Sequence, residues 1–129
     1  MIQSNVYNYI NVMDKAADAS WLRNEVIANN IANADTPNYK RKDVAFEGEL
    51  TRALSKMRYK SMDEKVDHLT LGDLKPATYT DHGDYSYRVD GNNVDIDTEN
   101  VELARNQIKY NALMSSVNQE FSNLKSVMK

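Results

Sequence analysis

The stretch Ala28-Asn29-Asn30-Ile31-Ala32-Asn33-Ala34-Asp35-Thr36-Pro37-Asn38-Tyr39-Lys40 decides how this chain folds, because a long helical pattern arrives at it and cannot run through it. Proline lacks the amide donor and pushes the residue before it out of the α region, so Thr36-Pro37 predicts a helix that ends near Ala34. Asn38 follows, a residue type that tolerates the left-handed conformation, and the Asn and Asp side chains around it can cap nearby backbone groups. On physical grounds alone this is a stop and a turn.

Working outward, apolar or small side chains recur N-terminally at Val6, Ile10, Met13, Ala17, Ser20, Ile27 and Ile31 in steps that place them on one helical face. Asn24 is the polar member of that stripe, either a register device or a residue at the seam edge. Val12, Ala16, Ala19, Leu22 and Val26 widen the face, which implies more than one neighbour. A helix of about 30 residues would run about 45 Å. Trp21 stands off the stripe, as an anchor for another subunit or as cover for the second apolar row.

On the other side of the turn, Phe46, Leu50, Leu54 and Met57 predict a shorter amphipathic helix between Asp43 and Met57, weakened by Gly48. From Arg58 to Asn92 the periodicity fades. Ala77 to Thr80 and Tyr85 to Val89 predict a small hairpin or, alternatively, an extended loop. Helical spacing returns after Asp97, the expected N-cap, with Leu103, Gln107, Tyr110, Met114, Val117, Phe121, Leu124 and Met128 on one face. Glu99 falls in the first turn, where the helix dipole favours a negative charge. The expected fold is mainly α: long N- and C-terminal amphipathic helices paired as a coiled-coil-like hairpin, a short third helix and a weakly structured middle.

Asn30-Ile31-Ala32-Asn33, two spacers, then Thr36-Pro37-Asn38-Tyr39-Lys40 resembles the signature of the bacterial flagellar axial proteins, which build the rod, hook and hook-filament junction. The family often has glycine where this chain has Asn38. The run Asp90-Gly91-Asn92-Asn93-Val94-Asp95-Ile96-Asp97 and the pattern Asn106-Gln107-Ile108-Lys109-Tyr110-Asn111-Ala112-Leu113 are similar to the proximal-rod members, and the short middle differs from the hook and distal-rod members, which carry larger inserts. The resemblance implies a single rod-type domain over residues 1–129: helix and turn motif in 1–40, middle helix and loop or hairpin in 41–92, C-terminal helix in 93–129. It implies a turn motif of Asn30, Asn33, Thr36, Pro37, Asn38, Tyr39 and Lys40. The assembly stripes would be Val6, Ile10, Met13, Ala17, Ile27 and Ile31 on one helix, and Leu103, Tyr110, Met114, Val117, Phe121, Leu124 and Met128 on the other.

Composition narrows the alternatives. A length of 129 residues suits one ordinary domain, and a net charge of −3 has the wrong sign for general nucleic-acid binding. Lys40-Arg41-Lys42 and the segment Arg52 to Lys60 read as solvated faces. With no cysteine there is no thiolate nucleophile or thiolate metal site. The N-terminus lacks the basic leader and apolar run of a cleaved secretory signal, and no stretch approaches the ~20 apolar residues of a membrane span.

Catalytic material is sparse. His68 and His82, the only histidines, stand in the weakly patterned middle, and with Asp81 or Asp84 they do not fix a metal geometry. A calcium loop counted from Asp90 fails, since Val94 and Asp95 occupy positions that need an oxygen ligand and a glycine. The expectation is therefore a structural subunit with no enzymatic activity and no cofactor. By the resemblance, its partners are copies of itself, other rod proteins, the basal-body inner ring, the rod adaptor and the export gate, with no nucleic acid or small-molecule substrate. It would leave the cell uncleaved through the flagellar type III export channel and lie in the rod, in the periplasmic space. A helical adaptor or export chaperone that holds a partner's helix explains the stripes equally well but not the turn signature.

Overall fold

The computed structural model describes residues 6–83 and 88–128. In chain order the elements are α1 (Val6–Ala32), β1 (Lys42–Ala45), α2 (Glu47–Ser55), α3 (Met62–Asp67), a short 3-10 turn (Leu71–Asp73), β2 (Ala77–Thr80) and α4 (Ile96–Val127). The fold is mainly helical, with the two long helices packed together. Contacts between Asn30 and Glu99 at one level and Ser20 and Asn106 at another show that α1 and α4 run antiparallel.

A second layer packs on another face of α1, beside the one that meets α4. Ala19, Phe46 and Leu74 form a buried cluster, closed by Ala16, Leu50, Ala53, Leu69 and Leu71. Burying apolar side chains here is the main driving term, at about 25 cal/mol per Å² removed from water. Nearer the N-terminus, the Tyr9 hydroxyl donates to Asp63 at 2.6 Å and Asn8 donates to Asp67 at 2.6 Å, tying α1 to α3. The start of α3 is fixed by a capping box, in which Ser61 accepts from the Glu64 amide and Glu64 accepts from the Ser61 amide.

The helix expected from Asp43 to Met57 starts later than its spacing predicts. Lys42–Ala45 instead forms β1, antiparallel to β2, with Lys42 opposite Thr80 and Ala45 opposite Ala77. Val44 and Phe46 are both buried, and alternation along this segment overrides the helical reading. Gly48 then falls in the first turn of α2 rather than its interior, beside the acidic Glu47 and Glu49 that suit a helix N-terminus. Ala77–Thr80 is the strand expected there, but its partner is β1. Most of the expected partner, Tyr85 to Val89, lies outside the described residues; its described end, Val89, is fully exposed and not in a strand. Among the described residues no helix is long and apolar enough to cross a membrane.

The N-cap of α4 is Asp95 rather than Asp97. Its extended backbone lets the carboxylate accept from the Asp97 amide at 3.1 Å and the Thr98 hydroxyl at 2.8 Å. These bonds hold the Asp95 carboxyl below its usual value.

Candidate functional site

Six residues, 33–38, turn the chain out of α1. Asn33 donates from its amide to the carbonyls of Asn29 and Asn30, and from its side chain to Asn29 again at 2.8 Å, which satisfies a helix-end carbonyl. The Thr36 hydroxyl donates to Asn33 Oδ1 at 3.2 Å. Pro37 is exposed, and Asn38 has φ of 60°, the left-handed conformation its residue type tolerates. Gly91 packs against it with φ of 76°; a Cβ there would stand 2.9 Å from Asn38 Oδ1.

Residues far along the chain hold this turn. The Asn92 side chain, buried, donates at 2.9 Å to the carbonyls of Asn33, Ala34 and Thr36, and its Oδ1 accepts from the Val94 amide. The Asn38 amide donates to Asp90 O at 2.9 Å and Lys40 Nζ to Gly91 O at 2.7 Å. Arg88 donates to Ala34 O at 2.7 Å. The segment before α4 thus adds to the local capping by Asn33 and satisfies the carbonyls that follow the end of α1.

Asn30 is the second anchor, and it uses its full capacity of two donors and two acceptors. Its Oδ1 accepts from the Lys42 amide and the Tyr39 hydroxyl, while its Nδ2 donates to Lys42 O at 2.8 Å and to Glu99 at 3.1 Å. Glu99, only 1% exposed, also accepts from Arg41, whose side chain is 18% exposed and reaches Asp43 at 3.3 Å as well. Burial lowers the Arg41 guanidinium, but the carboxylates of Glu99 and, less strongly, Asp43 together leave it above its ordinary value. Burial, with the Glu99 charge second, raises the Tyr39 hydroxyl. The backbone around Arg41 is fixed too, since its amide donates to Asn93 and its carbonyl accepts from Asp81.

This clasp corrects two expectations. Lys40-Arg41-Lys42 is not simply a solvated face, because Lys40 and Arg41 point into the network and only Lys42 is exposed. Glu99 does more than favour the dipole of α4, because its carboxylate is the buried centre of the contact between the two helices.

A family model described as "Flagella basal body rod protein" matches residues 15–40, the last two thirds of α1 with the turn. The chain is 40% identical over 117 residues to the flagellar basal body rod protein FlgB of Bacillus subtilis, covering 90% of this chain and 89% of that one. It is 36% identical to the protein of the same name from Borrelia hermsii, over 93% and 95% of the two chains. The Escherichia coli protein of that name is 31% identical, with 82% of each covered. The chain belongs to the FlgB family of flagellar basal body rod proteins. The proximal-rod kinship read from Asp90 to Asp97 and from Asn106 to Leu113 agrees with this family.

In this FlgB-family chain the stripe residues divide. Of those on α1, Ile10, Ala17 and Ile27 are buried, Met13 and Ile31 are half-buried, and the Val6 side chain lies outside the described residues. On α4 the inward row is Leu103, Asn106, Tyr110, Leu113, Val117, Glu120 and Leu124, all buried or half-buried. Gln107, Met114, Phe121 and Met128, expected in the seam between the helices, lie exposed along its edge, Phe121 at 46% and Met128 at 80%. The seam steps to Asn106 because its side chain completes a polar contact across it. Asn106 donates to Ser20 O at 2.7 Å and Asn24 Oδ1 at 2.8 Å, and accepts from the Ser20 hydroxyl at 2.9 Å. Asn24 is accordingly half-buried at the seam edge, and Trp21 is exposed.

A second polar junction had no clear sign in the sequence. Glu47, at the start of α2, receives both Arg23 amino groups at 2.7 Å from α1 and Lys109 from α4. Arg23 is the main cause that holds the Glu47 carboxyl far below the usual carboxylate range. Only the pairing of opposite charges in separate segments hinted at it, and that hint names no partner. Among the described residues no group of three or more His, Cys, Asp or Glu could hold a metal ion.

Proposed function

We propose that this rod protein is one rod-type unit that polymerises into the proximal rod, touching copies of itself, other rod proteins, the inner ring, the rod adaptor and the export gate. It acts mechanically and catalyses nothing. It is exported without cleavage of a signal peptide and lies in the rod, in the periplasmic space. The observation that carries this reading is the clasp: Asn30 and Lys40 of the signature reach Glu99 and the Gly91 carbonyl, and Asn92 in turn binds the carbonyls of the turn, so the end of α1 is tied to the start of α4. Such a joint sets the angle at which two long helices leave it, and a filament repeats that angle in every subunit. The exposed edge of Met114, Phe121 and Met128 supports the same reading as surface left for neighbours.

The test is a strain in which this chain is the sole copy. Basal bodies purified from it should contain the uncleaved chain at the inner end of the rod. A chain retained inside the cell on a partner's helix, and missing from purified basal bodies, would favour the adaptor or export-chaperone reading instead.

A further inference from the structure

The outer side of α1 presents Asp14, Asp18, Trp21 and Glu25, at steps of four, three and four that put them on one face. All four are exposed, Trp21 at 62%. This face is turned away from α2, because Ala16 and Ala19 look toward Phe46 and Leu50, and it is clear of the Ser20, Asn24 and Ile27 row that meets α4. None of the ion pairs among the described residues uses any of the three carboxylates. Asp14 and Asp18 repel each other at a spacing of four, so the face costs the isolated helix a little stability.

On the opposite side of the fold, Lys56, Arg58 and Lys60 follow the end of α2, all exposed and none in an ion pair among the described residues. Arg52 just before them is already matched by Glu49. Further on, Asp63 accepts from Tyr9 and Glu64 belongs to the capping box, so both neighbouring acids are engaged.

Three carboxylates around an indole thus face one way and three cations face the other, and within one chain they cannot meet. Between copies they can. We propose that the acidic, aromatic face of α1 docks onto the basic segment 56–60 of a second copy of this chain. The contact rests on the reading of the chain as a polymerising rod subunit and names the surfaces by which it polymerises. Opposite charges select this register over contacts between like faces, and Trp21 offers its ring to a guanidinium or ammonium group. Because the two surfaces differ, each docked copy still carries one of each, and the series grows rather than closing as a symmetric pair.

The absence of cysteine makes the test clean, since Asp18→Cys and Arg58→Cys introduce the only thiols of the chain. Basal bodies from a strain with the double variant as sole copy are treated with a short thiol cross-linker. Dimers and higher multimers are expected, with dimers also when the two single variants are expressed together and none from either alone. Two results would overturn the contact: variant chains present in basal bodies without cross-links, or dimers from Asp18→Cys alone, which require a symmetric contact. A wild-type chain missing from basal bodies would refute the rod reading itself. As a second measurement, Asp14→Lys with Asp18→Lys, or Lys56→Glu with Arg58→Glu, should lower incorporation into rods at least tenfold, and the four together should restore it. Failure to restore would also overturn the contact.

Discussion

Removing Arg41 should harm the fold more than neutralising its partner Glu99. In Arg41→Met, a carboxylate that is 1% exposed keeps, among the described residues, only the Asn30 amide donor at 3.1 Å. Breaking a buried pair in this way costs about 3 to 5 kcal/mol. In Glu99→Gln the shape is kept, and Arg41 retains Asp43 at 3.3 Å and some water at a side-chain exposure of 18%. That loss is about 1 to 3 kcal/mol. Against a total stability of about 5 to 15 kcal/mol the first is a large share. In urea unfolding followed by circular dichroism, Arg41→Met should lower the midpoint by roughly 2 M at a slope of about 2 kcal/mol per M, and Glu99→Gln by about half as much. Arg41→Met combined with Glu99→Leu should recover part of the loss, because the stranded charge is gone. Equal damage from Glu99→Gln and Arg41→Met, or a cost below about 1 kcal/mol for both, would refute a buried charge held by Arg41.

Asn38→Val tests the turn without removing a buried contact: a β-branched residue at φ of 60° costs about 1 to 3 kcal/mol, so export should persist while incorporation into basal bodies falls. Glu47 gives a pH dependence. Its folded carboxyl sits below the unfolded value, so its stabilisation is complete above the unfolded pKa of about 4.3 and fades as pH falls below it; Glu47→Gln should flatten that acid limb, and added salt should shrink it. Ile27→Asp and Phe121→Asp should part company. At 2% exposure Ile27 loses about 1.5 to 3 kcal/mol of burial and gains a sealed charge, so the subunit itself unfolds. Phe121, at 46%, should leave the unfolding midpoint nearly unchanged yet block rod assembly, while Asp at the exposed Asn118 should do neither; equal unfolding midpoints for the Ile27 and Phe121 variants would contradict the placement.

What the sequence made readable follows from how local each signal is. The stop at Thr36-Pro37, the left-handed Asn38 and both long helices depend on residues within a turn or two of each other, and the turn lies where it was expected. The β1 and β2 pairing was missed because the strands are short and their segments stand far apart. Each alone resembles something else, a helix start or half a hairpin. The clasp was half visible. Asn30 through Lys40 were singled out, but their partners Asn92, Asn93 and Glu99 looked like turn and cap residues, which is also what their local contacts make them. The Ser61 to Glu64 capping box could have been found from its spacing alone.

The placement of polar groups explains why an apolar stripe misjudged the seam on α4. A purely hydrophobic pairing would be free to slide by a turn, since Leu, Met and Val exchange at little cost. Asn106 against Ser20 and Asn24, and Glu99 against Asn30, permit one register, because a slip would leave buried amides and a carboxylate without partners. The same choice rotates α4 so that Leu103, Tyr110, Val117 and Leu124 are half-buried while Met114, Phe121 and Met128 are left exposed at the edge. Polar contacts thus fix the joint within the chain, and the apolar residues they displace are left exposed, where the proposed assembly can use them. If that division is correct, replacing Asn106 with Leu should raise the stability of the isolated chain or leave it unchanged, while rods built from it become irregular or fail to form. A loss of stability with normal rods would place the specificity elsewhere.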